Sequence, residues 1–250
     1  MSIGEVVRVW GAIGYAPDLG FFDKMCEVGK KYAQDYAHWS TDRMQLVLHD
    51  FEKRALLSIA HKRVAFEIAN PTTEYMNAVA ENAKRVQGVL SGLNKKDINR
   101  MGLKTVIYAN MGLTFEELRA QMEPLCVPNK DEFTRITGSG EIKDIALHVD
   151  YDWRGKTVLL RAGPMEKRQG IDSIRQVGDV EKLYPPIEKS SGLTDLFAAV
   201  PSSFLYFDMD VVKASKETID SWSGFVEDSS KYTIEVFDSL KRCLLEQGIK

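Results

Sequence analysis

Apolar and polar residues alternate most regularly in Phe204-Leu205-Tyr206-Phe207-Asp208-Met209-Asp210-Val211. As a strand, this run puts Leu205, Phe207, Met209 and Val211 on one face and Tyr206, Asp208 and Asp210 on the other. The period then changes, with Ile219, Trp222, Val226, Thr233, Val236, Phe237, Leu240 and Leu244 recurring mostly at three- and four-residue steps. That spacing predicts a long helix over about 216–247, with Ser215 as its N-cap. Glu217 and Asp220 early, Lys241 and Arg242 late, and Gly248 beyond them agree with the helix dipole and a glycine stop.

Upstream, residues 5–15 read as a strand, and Asp18 after Pro17 caps a helix carrying Leu19, Phe22, Met25, Tyr32 and Tyr36. Three alternating runs follow at 44–51, 55–60 and 63–69, joined by Glu52-Lys53-Arg54 and by His61-Lys62. Asn70-Pro71 then opens a helix whose stripe is Met76, Val79, Ala83, Val86, Leu90 and Leu93. A strand runs from Leu103 to Ala109, and Thr114 with Glu117 forms a capping box for a short helix stopped at Pro124. Residues 142–151 and 157–162 form a hairpin about the turn Asp152-Trp153-Arg154-Gly155.

The two halves therefore repeat one order of elements: strand, helix, three strands, helix. Residues 1–94 form a first βαβββα unit and 95–250 a second, and the pair reads as an internal duplication in one continuous globular body. The second unit carries an insertion at about 165–201, where the first has a tight turn. Long loops in compact domains usually carry function or lack structure, which marks the insertion as a functional candidate. The fold class expected is α+β, a curved and mainly antiparallel sheet with helices packed on one face. Its architecture resembles the pseudo-symmetric saddle of the TATA-binding-protein-like folds, a likeness that carries no function.

Composition narrows the function classes. With 250 residues and a net charge of -3, the whole chain gives no reason to expect nucleic acid or an anionic membrane as a partner. No apolar run reaches transmembrane length, the first ten residues lack a signal-peptide pattern, and three cysteines without metal spacing suggest reduced thiols in the cytoplasm. Gly138-Ser139-Gly140 has neither the Lys-Ser/Thr of a P-loop nor a three-glycine dinucleotide pattern, so no cofactor is expected.

Two arrangements remain as candidate chemistry. Asp208 and Asp210 share a strand face, and His148, Asp150 and Asp152 share a parity on a neighbouring strand. If the faces coincide, His148, Asp150, Asp208 and Asp210 form a candidate metal-assisted hydrolase site, although no HxH, HExxH or CxxC spacing accompanies them. Separately, residues 53–104 hold ten Lys or Arg against four acids, a candidate nucleic-acid surface without interleaved aromatics.

The strand Phe207 to Val211, the helix segment Phe237-Asp238-Ser239-Leu240 and the mid-chain Ile98-Asn99-Arg100-Met101-Gly102-Leu103-Lys104 carry a family resemblance. Together they resemble a sporadically distributed prokaryotic family of roughly 250-residue proteins of uncharacterised function. The resemblance implies a cytosolic prokaryotic protein and supplies no activity or site residues. The leading expectation is a non-enzymatic binding or adaptor protein that associates as a dimer. It would meet a protein partner through the open sheet face, the insertion, and Tyr206, Tyr184, Trp153, Arg154, Lys53 and Arg54.

Overall fold

A computed structural model describes residues 6–17, 20–32, 36, 38–41, 45–69, 75–138, 142–176, 183, 185, 193–195, 197, 198 and 200–247. The first half contains β1 (Val6–Gly14), α1 (Phe21–Tyr32), β2 (His38–Thr41), β3 (Gln45–Asp50), β4 (Ala55–Ala60), β5 (Arg63–Ala69) and α2 (Tyr75–Gly92). The second contains β6 (Asp97–Ile98), β7 (Arg100–Ala109), α3 (Phe115–Cys126), α4 (Lys130–Thr137), β8 (Leu147–Trp153) and β9 (Lys156–Glu166). It continues with α5 (Lys167–Gln176), β10 (Ser203–Lys213), β11 (Glu217–Thr218) and α6 (Ser221–Gln247). The expected caps at Asp18 and Asn70-Pro71, and Tyr184, lie outside the described residues.

Nine strands form one antiparallel sheet in the order β2-β3-β4-β5-β1-β7-β10-β9-β8. The halves meet where β1 pairs with β7 along nine residues, from Val6 opposite Tyr108 to Gly14 opposite Arg100. From that seam the sheet runs outward as β5-β4-β3 on one side and β10-β9-β8 on the other, the same order of elements in each half. The protein is thus α+β with a large antiparallel sheet.

The main core lies on one sheet face. Val9, Ile13, Leu57, Phe66, Leu103, Ile107, Leu205, Phe207, Met209 and Val211 are buried there beneath α2 and α6. The stripe on α2 is part of this core, with Val79, Ala83, Val86, Leu90 and Leu93 all buried. Its end is set by Asn94 at φ 54°, with Lys95 N–H donating to Leu90 O and Asn94 N–H to Ser91 O, a Schellman closure. Trp222 joins the two long helices, its Nε1–H donating to Ala83 O at 3.0 Å while the ring is wholly buried. At Gly11 a Cβ would lie 2.1 Å from the Phe66 ring, so the two central strands accept that aromatic only because glycine is present.

Several expectations are corrected in detail. The last helix begins at Ser221, not 216, because Glu217 and Thr218 pair with Ile98 and Asp97 and hold the backbone extended. Ser215 is accordingly no cap, and its hydroxyl donates to Glu217 Oε1 at 2.9 Å. The capping box at Thr114 and Glu117 is present, but α3 runs past Pro124 to Cys126, and the Val127 N–H bonds Glu123 O. The second hairpin begins at Leu147 and turns on Arg154 and Gly155, both left-handed, as a two-residue loop. The strand β2 adds to the first half one short edge strand that the alternation does not reveal.

The insertion begins as α5 and packs on the other sheet face. Ile174, Leu183 and Val200 form a second buried cluster with Val106, Tyr108 and Phe204. Gly170 allows this approach, since a Cβ there would meet the Phe204 ring at 2.5 Å. One end of the face expected to be open is therefore covered.

Candidate functional site

Even-numbered residues of β1, β7 and β10 point away from the main core, joined by odd-numbered residues of β5 and β9. Pairing register sets them out in rows. One row reads Glu67, Trp10, Lys104, Asp210, Leu159 and Asp150 across six strands. The next reads Arg8, Val106, Asp208, Arg161 and His148.

The centre of this face is a chain of charge and aromatic contacts. Arg8 and Glu67, both buried, form an ion pair, and the Arg8 guanidinium lies 4.5 Å from the centre of the Trp10 ring. Lys104 Nζ sits 5.9 Å from the same ring and 3.1 Å from Asp208 Oδ2. Tyr206 donates its phenol hydrogen to that oxygen at 2.9 Å. Burial, followed by the Asp208 charge, pushes the Tyr206 phenol far above its ordinary range. Burial also raises the Asp210 carboxyl, with Lys104 pulling against it.

The structure places His148 and Asp208 on one face, but two strands apart, about 10 Å between backbones, with Arg161 between them. His148 Nε2 is 3.4 Å from Asp150 Oδ1, both exposed, while Asp208 is committed to Lys104 and Tyr206. Among the described residues no three His, Cys, Asp or Glu side chains are gathered closely enough to hold a metal ion. Asp208 instead pairs with Lys104 across the strands, and Asp150 lies beside His148 along β8.

The residues expected to meet a partner lie on separate parts of the molecule. Tyr206 is in the central network, beside Tyr108 and close to α5. Trp153 and Arg154 occupy the β8–β9 turn, where the Trp153 ring stacks on Tyr232 at 3.9 Å and Lys156 Nζ lies 4.3 Å above it. Lys53 and Arg54 occupy the β3–β4 turn, and Lys53 reaches Glu81 of α2 at 3.1 Å.

A different constellation appears at the end of the polar face left uncovered by α5. A groove of about 530 Å³ is lined by Trp10, Ala12, Gly14, Lys62, Arg63, Arg100, Gly102, Lys104, Asp210 and Val212. Four cations line it against one carboxylate. Among the described residues no carboxylate comes within ion-pair distance of Lys62, Arg63 or Arg100. The basic segment 53–104 thus divides: Lys62, Arg63, Arg100 and Lys104 gather here, while Lys53 and Arg85 pair with Glu81 beside α2. Trp10, which lies outside that segment in sequence, supplies the aromatic ring of the groove. Its signal was the even-position parity it shares with Arg8, legible only once β1 is paired with β7.

The fold and this site define the class: an α+β protein with two long helices under one face of a nine-stranded sheet, and a cationic groove beside α5 on the other. No protein-family model and no curated protein matches the chain. Among the solved structures that match is Methanococcus jannaschii TBP, at 12% identity and a TM-score of 0.28, covering 96% of each chain. The architecture described above rests on this chain's own strand order. No helix among the described residues is long and apolar enough to cross a membrane.

Proposed function

We propose that this is a non-enzymatic binding protein whose working surface is the groove on the polar sheet face, and that it holds an anionic partner there. The observation that carries the reading is the concentration of Lys62, Arg63, Arg100 and Lys104 around one cavity, in a chain whose net charge is -3. Lys62, Arg63 and Arg100, which pair with no carboxylate among the described residues, repel one another, a cost that an anionic ligand relieves. Arginine forks suit phosphate and carboxylate oxygens in particular. Cys126 is a free thiol, which accords with a cytoplasmic setting. The matching pairing order on either side of the β1–β7 seam supports descent of the two halves from one βαβββα unit.

Retention on phosphocellulose at low salt tests this reading. A chain of net negative charge should pass through unless a local patch holds it, so the wild type is expected to bind and to elute as salt rises. The double variant Arg63→Glu with Arg100→Glu is expected in the flow-through. Both side chains are exposed, so their replacement leaves the core intact. A wild type that does not bind, or a variant eluting at the same salt, would end the proposal.

A second reading concerns self-association. β2 is an edge strand whose four residues are all exposed, and Trp39 is 63% exposed beside an apolar groove lined with Met25, Leu46 and Leu48. We infer that a second copy adds its own β2 here about a two-fold axis, satisfying the outward N–H and C=O groups. Light scattering on a sizing column is expected to give a dimer for the wild type and a monomer for Trp39→Glu. A monomeric wild type at tens of micromolar (roughly the range of weak specific dimers) rejects it.

A further inference from the structure

We propose that the cationic groove takes a mononucleotide, with its phosphates at Lys62, Arg63 and Arg100 and its base against Trp10. This deepens the anion-binding reading and rests on it.

Three observations fix the class of ligand. The first is size and shape. The floor is made by Ala12, Gly14 and Gly102, and a Cβ on Gly102 would meet nothing within 4 Å, so space above the sheet is open. A single phosphate would leave most of the 530 Å³ to water, whereas a phosphate joined to a sugar and a ring would occupy it.

The second is the division of chemistry within the groove. Arg63 lies opposite Gly14, and Gly14 opposite Arg100, so two guanidinium-bearing positions flank a glycine in one cross-strand row. Such a pair can take several phosphate oxygens at once. Trp10 is two positions along β1 from Ala12 and four from Gly14, at the inner end of the groove. Arg8 lies over its ring at 4.5 Å, and a ring of this kind also takes a base by stacking.

The third is the limit on length. Across β10 and β8 the same face carries Asp208, Asp210, Asp150 and Asp152 against Arg161 of β9, and along the strands α5 covers Tyr108 and Phe204. A nucleic-acid strand crossing toward β8 would run onto these carboxylates, and one running along the strands toward Tyr108 would meet α5. Toward β3 the row beyond Arg63 holds Ala60 and Gln45, with no further cation. The cationic surface is compact, which suits one nucleotide and opposes a polymer.

Calorimetric titration of the full chain tests the proposal, using ATP without added metal, adenosine, tripolyphosphate and a ten-nucleotide single strand as probes. ATP is expected to bind, and adenosine, lacking phosphate, is expected not to. Arg63→Glu with Arg100→Glu should weaken ATP by more than about tenfold, the loss of one strong charged contact. Trp10→Leu should weaken ATP and leave tripolyphosphate unchanged, with circular dichroism confirming that both variants are folded.

No ATP binding at millimolar concentration, while phosphocellulose still retains the protein, overturns the nucleotide inference and leaves the anion reading in place. Equal affinity for ATP and tripolyphosphate, with Trp10→Leu indifferent, overturns the role of the base. A single strand that binds more tightly than ATP overturns the compact ligand in favour of a polymer.

Discussion

Trp222→Ala is expected to cost about 3–5 kcal/mol of unfolding free energy, the range for truncating a buried aromatic. Trp222 is the largest side chain that is wholly buried, and it fills the junction of α2, α6 and the sheet. Its indole also donates to Ala83 O across the two helices. Alanine would leave a cavity between elements that are each fixed by pairing or packing elsewhere, so little collapse is available to close it. For a chain of this length the loss corresponds to a melting temperature lower by on the order of 10 °C. Thermal unfolding followed by circular dichroism reads it. A shift below about 2 °C, less than 1 kcal/mol for a chain of this size, would show that the helix pair is not held through this residue.

Glu67→Ala is expected to have an effect of similar size for a different reason. Arg8 and Glu67 are among the few charged residues that are buried, and Glu67 sits across the strand pair from Trp10, next to Arg8. Removing the carboxylate leaves the guanidinium charge in a low-dielectric position without its main compensation, at a cost of about 3–5 kcal/mol. Replacing both, as Arg8→Met with Glu67→Leu, removes the charge together with its counter-charge and should be far less costly. Denaturant melts of the two variants distinguish the cases. If the double variant is as unstable as Glu67→Ala, the loss comes from packing around these positions and not from an exposed imbalance of charge.

Most of the scaffold was legible in sequence because it follows from local periodicity. The alternation at 204–211, the three- and four-residue steps of 76–93, and the Thr114–Glu117 capping box each correspond to an observed element. What escaped was set by partners distant in sequence. β2 is only four residues long and exposed throughout, so it shows no alternation. The start of α6 is delayed by pairing of Glu217 and Thr218 with residues 97–98. The helix α5 carries only Ile171 and Ile174 as apolar contacts in an otherwise polar stretch, too few to mark a buried face.

The candidate groove was less legible still. Its residues come from positions 10–14, 62–63, 100–104 and 210–212, and no spacing along the chain links them. Strand register alone brings Arg63, Gly14 and Arg100 into one row. The aspartates of β10 stood out in sequence because they sit side by side in one strand. In space Asp208 is taken up by Lys104 and Tyr206, and Asp210 becomes the one acidic wall of a cationic cavity.

The two ends of the nine-stranded sheet differ, and that difference bears on how many copies could join. The β8 edge alternates Leu147, Val149, Tyr151 and Trp153 with His148, Asp150 and Asp152. Acidic side chains at an edge repel a like strand. The β2 edge, His38-Trp39-Ser40-Thr41, holds no acid. A sheet with one adhesive rim and one guarded rim closes after a single pairing event. Growth into a fibre would need both rims to be receptive, so this asymmetry would cap at a pair any assembly made through β2.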